Sequence, residues 1–62
     1  MSSHTQWEGN VTELVAEDLQ VSYGDAAGVI EAQSFCMQQS WCRGMDAKQT
    51  SERILEIIVN GH

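Results

Sequence analysis

Proline is absent from this sequence, so nothing breaks the chain rigidly, and helix ends must be set by Gly, Asn, Asp and Ser. Basic residues are scarce. Arg43, Lys48 and Arg53 are all there are, and none precedes Arg43. The stretch before Arg43 therefore repels nucleic acid phosphates and anionic lipid, and nucleic acid is not the expected partner. Long apolar runs are also missing, which excludes a membrane span or the apolar region of a secretory signal and places the expected protein in the cytoplasm. Cysteines number two, Cys36 and Cys42. With no secretory signal they read as free thiols that behave as small hydrophobes. Six positions apart on one helix, they would stand about 9 Å apart along its axis and could not bridge.

The same scarcity disposes of most chemistry. The spacing of the two cysteines fits no zinc motif, and the only histidines, His4 and His62, fall near opposite ends of the chain, in segments expected to fray. A cysteine nucleophile needs a nearby histidine and an electropositive setting. There is no phosphate-binding glycine loop, no dinucleotide fingerprint, no nucleophile elbow and no carboxylate pair beside a cleft. The expectation is a protein with no catalytic, metal or cofactor residues and no small-molecule substrate, one that acts by binding.

What is present is acid. Glu8, Glu13, Glu17, Asp18, Asp25 and Glu31 lie before the first basic residue, whereas Asp46, Glu52 and Glu56 are balanced by the three cations. The net charge of −6 therefore belongs to the first two thirds of the chain. Such a surface favours solubility and steers a basic partner. A chain that starts with Met and carries no tag or appended domain is expected to be a complete small open reading frame.

Periodicity divides the chain into a polar lead-in, residues 1–9, and one all-α three-helix domain, residues 10–62. Asn10 with Glu13 has the form of a capping box, opening a helix that carries Val11, Leu14, Val15, Leu19 and Val21 on one side and ends near Ser22. Asp18 falls on that apolar side, where it is expected to bond a loop backbone or an indole N–H. Ser22 or Asp25 caps a second helix reaching Arg43, with Gly44 at its left-handed end. Asp46 to Gln49 repeats the capping pattern, and Ala47, Ile54, Leu55, Ile57 and Ile58 carry a third helix, 46–59, which Asn60 and Gly61 close. The packing expected is an antiparallel or splayed three-helix bundle.

The second helix, 25–43, has two apolar sides. Ala26, Val29, Ile30, Cys36, Met37 and Trp41 form the expected core side. Opposite them, Gly28, Phe35 and Cys42 recur at intervals of seven with Ala32 between, small residues beside one large aromatic. These four are the candidate interaction residues, read either as a second core flank or as a homodimer seam in which each Phe35 rests on the Gly28 and Ala32 shelf of its mate. Trp7 is the remaining candidate, read as a lid folding back on the bundle or as a partner contact.

The function expected is a small acidic protein-protein interaction or adaptor module, self-associating through the second helix. Two alternatives stand beside it. One is an acidic mimic of nucleic acid, or an inhibitor of a protein that handles it, of the type phages and mobile elements carry. The other is a DNA-binding regulator, since Met37 to Ile58 has the outline of a helix-turn-helix, but Lys48 and Arg53 point to different sides of the last helix.

Overall fold

The computed structural model describes residues 3–60. They form an all-helical domain of four helices, α1 (His4–Leu19), α2 (Tyr23–Ala32), α3 (Ser34–Cys42) and α4 (Ala47–Val59). The class is the one expected, but the number of helices is not. Residues 1 and 2 of the expected lead-in, and Gly61 and His62, lie outside the described residues.

The expected lead-in is helical from His4 onward. Ser3 has extended backbone, and its hydroxyl accepts a hydrogen bond from the Gln6 N–H, so the N-cap is Ser3 and Asn10 lies in the helix interior. The helix extends across Gly9 and Asn10, both poor helix formers, because doing so buries Trp7 on the stripe that continues through Val11 and Val15. At its far end Gln20 adopts a left-handed conformation, φ 55°. Its N–H donates to the Glu17 carbonyl, and the Val21 N–H donates to that of Ala16, a Schellman closure built on a residue that is not glycine. Near that end Ala16 and Leu19 are the residues packed on the core, so Asp18 is exposed and not on the apolar side as its wheel position suggested. Val21, beyond the helix, is exposed too.

The expected second helix is two. Ser22 caps α2 through a hydrogen bond from the Asp25 N–H. At Gln33 the backbone turns to φ −106°, ψ 32°, and its N–H is shared between the carbonyls of Val29 and Ile30. Neither Gly nor Pro marks the break. Burial accounts for it: the bend lets Ala26 and Ile30 from α2 join Cys36, Met37 and Ser40 from α3 around one core. Gly44 then closes α3 as expected, with φ +74°, its N–H donating to Trp41 and the Met45 N–H to Ser40. At α4 both halves of the expected capping box form. The Gln49 N–H donates to Asp46 Oδ1 at 2.8 Å, and the Asp46 N–H to Gln49 Oε1 at 3.2 Å.

The core is Trp7, Val11, Val15, Ala26, Ile30, Cys36, Met37 and Ile54. The most extensive contact is α1 on α4, then α1 on α2. Thr12, Ser40, Thr50 and Ser51 are buried among these apolar groups. The hydroxyls of Thr12, Thr50 and Ser51 donate to carbonyls of their own helices, those of Glu8, Asp46 and Lys48, and so enter the core without an unpaired polar atom. One ion-pair contact exists among the described residues, His4 Nδ1 to Glu8 Oε2 at 3.8 Å, with both side chains half exposed. Apolar packing rather than charge pairing holds the fold.

Candidate functional site

Gly28 and Ala32 lie one turn apart on α2, and Phe35 and Cys42 two turns apart on α3, with the Gln33 bend between the pairs. All four are exposed. Phe35 is 72% exposed, more than any other aromatic side chain. A Cβ built at Gly28 would meet nothing within 4 Å, so the backbone there faces open space. These residues are therefore not buried as a second core flank; each is exposed, on two successive short helices. Both thiols are free, Cys36 in the core and Cys42 on this surface.

Trp7 is elsewhere. Its ring is 6% exposed, and its Nε1–H donates to the Met45 carbonyl at 3.0 Å, tying the start of α1 to the turn between α3 and α4. This is the lid reading of that residue. Trp41, expected in the core, is 36% exposed and leans on Trp7 with ring centroids 5.1 Å apart. His4 is not in a frayed end: it is the first residue of α1 and meets Trp41 edge-on at 4.7 Å and Trp7 at 5.6 Å. Nothing in the sequence signalled this cluster, because its members are 3, 34 and 37 positions apart and periodicity reads only near neighbours.

Beside the cluster are two surface cavities of about 630 and 770 Å³. Trp7, Trp41 and Met45 line the first, and Glu13, Leu14, Glu17, Tyr23 and Lys48 the second. Asn10, Asp46 and Ala47 line both, so the two adjoin along the flank of α1 and the start of α4 and are together called the trough. The acids of the first two thirds are thereby divided. Glu13 and Glu17 border this trough, whereas Glu8 and Glu31 border a separate cleft between α1, α2 and α3.

The segment from Met37 to Ile58 that suggested a helix-turn-helix covers most of α3, the turn through Gly44 and nearly all of α4. Lys48 and Arg53 are both exposed on α4, but so are Glu52 and Glu56, and the helix offers phosphates no net positive face. Among the described residues no three His, Cys, Asp or Glu side chains gather as a metal site, and no helix is long and apolar enough to cross a membrane. Compared with protein families, curated proteins and solved structures, the chain matches none.

Proposed function

We propose that this chain is a small acidic interaction module that works as a homodimer, joined through the outer surface of α2 and α3. The observation carrying this reading is Phe35, an aromatic side chain 72% exposed on α3, with the open backbone of Gly28 and the exposed Ala32 on α2 before it and the exposed Cys42 two turns after it. Burying such a ring is worth about 2 kcal/mol, and a flat shelf of small residues is what a second aromatic ring needs to approach a helix closely. In a two-fold pair each Phe35 covers the Gly28 and Ala32 of its mate, so one patch serves both sides.

Size supports the same reading. A standard interface takes about 800 Å² from each partner, against a total of 4292 Å² for this domain. A dimer of that size would need exposed neighbours of Phe35 on α2 and α3 as well as the ring itself, and would add apolar burial to a fold whose own core is small.

Molar mass measured by sedimentation equilibrium over a range of concentrations tests the proposal. The native chain is expected to approach twice its 6.9 kDa, and Phe35→Asp to stay monomeric with an unchanged helical circular dichroism spectrum. A native monomer at all concentrations, or a dimer that Phe35→Asp leaves intact, overturns the proposal.

A further inference from the structure

The trough beside Trp41 is a second feature; it takes Tyr23 from α2 and Trp41 from α3 but none of Gly28, Ala32, Phe35 and Cys42. Its walls change character along its length. At one end are the indoles, with Trp41 partly open to solvent; at the other are Leu14 and Tyr23. Between and beyond them the charged side chains are Glu13, Glu17 and Asp46 against one cation, Lys48, a local balance of −2. One Asp46 oxygen is spent on the Gln49 N–H, but the carboxylate keeps its charge.

An apolar trough with an open indole and a carboxylate rim suits one kind of occupant. Guanidinium and ammonium groups sit favourably over an indole face, and their aliphatic stems cover apolar floor while their heads reach carboxylates. From Trp7 to Glu17 the trough follows ten residues of α1, about 15 Å at 1.5 Å per residue. An extended peptide rises about 3.3 Å per residue, so four or five residues span it. We infer that the trough is a docking site for a short extended basic segment of a partner protein, with one cationic side chain over Trp41 and the next between Glu13 and Glu17. The acidic first two thirds of the chain would draw such a segment in. A second copy of this chain makes a poor occupant, since its three cations are interleaved with Asp46, Glu52 and Glu56.

The test uses the full chain and a capped pentapeptide of alternating Arg and Lys, with a Glu pentapeptide as control. Binding is followed by tryptophan fluorescence and amide chemical shifts. The basic peptide is expected to saturate, moving signals of residues 7–17 and 44–48 and the Trp41 indole N–H and leaving Phe35 still. Removing two rim charges in Glu13→Gln/Glu17→Gln is expected to weaken binding about fivefold or more. The same charge removed elsewhere, in Glu31→Gln/Glu52→Gln, should change it much less. All four side chains are exposed, so neither variant disturbs the core. Equal weakening by both variants would reduce the effect to overall charge and overturn the site. So would shifts centred on Phe35, or no saturation by peptide on the order of 1 mM. Molar mass is read separately, so failure here leaves the dimer proposal standing, and the reverse holds too.

Discussion

The indole N–H of Trp7 and the carbonyl of Met45 meet at 3.0 Å across 38 positions of sequence, joining the first turn of the first helix to the turn that launches the last. Trp7→Phe keeps an aromatic ring in the core but removes the donor and part of the volume, and should cost about 1–3 kcal/mol. In a domain of this size each kcal/mol lowers the melting midpoint by about 4–8 °C. A thermal melt that Trp7→Phe leaves unchanged would show the bond to be idle.

Two left-handed residues close two helices, and only one is glycine. Gln20 carries a side chain at φ 55°, and Gly44 has none at φ +74°. Opposite outcomes are expected on urea denaturation: Gln20→Gly should stabilise by about 0.5–1 kcal/mol, and Gly44→Ala should destabilise by about 1 kcal/mol. Open space surrounds a Cβ at Gly44, so backbone strain alone sets that penalty.

Asp46 and Asn10 looked alike in the sequence as helix caps, but they occupy different places. Asp46→Ala breaks both bonds of a capping box and should cost about 1 kcal/mol. Asn10→Ala changes an exposed residue inside α1 and should be neutral or slightly stabilising, by up to about 0.7 kcal/mol. Chemical denaturation of the two variants side by side checks this.

Salt separates the two proposed interactions. Two copies of a chain with net charge −6 repel one another, so dimerisation should tighten as salt screens that repulsion, whereas a basic peptide in the trough should bind more weakly. Measuring both between low salt and about 0.5 M covers a Debye length falling from roughly 30 Å to a few ångströms. A dimer that falls apart with added salt would point to charge pairing and away from Phe35.

The thiols report on the same surface. Cys42 is exposed and Cys36 buried, so a thiol reagent should modify one of the two quickly in a dilute sample and the second only on unfolding. At concentrations where the chain pairs, Cys42 should be protected, and Phe35→Asp should restore its fast reaction. Equal reactivity of Cys42 at every concentration would place it outside the contact.

The sequence disclosed what local chemistry dictates. The capping box at Asp46 and Gln49, the glycine after α3, and the apolar spacing through Ile54 are each signals within a few residues, and each formed. What went unread depended on distant partners. Ser3 could be recognised as a cap only once Trp7 had a core to enter, and the Gln33 bend follows from the shape of that core with no breaker residue to announce it. Gln20 hid the end of α1 because left-handed closure usually advertises itself as Gly or Asn. Phe35, Gly28, Ala32 and Cys42 were legible as a second apolar side, but spacing could not choose between burial against another helix and exposure. The trough could not be foreseen at all, since its walls come from α1 and from residues near positions 23, 41 and 46.

The preference of α1 for α4 makes the fold depend on contacts between helices far apart in sequence. The most extensive contact of α1 is with α4, which also brings Ile54 to the core, so a domain cut before Ala47 loses both. Without Ile54 the stripe of Trp7, Val11 and Val15 shares its core with fewer apolar neighbours, and such a fragment is expected to spend more of its time unfolded and open to proteases.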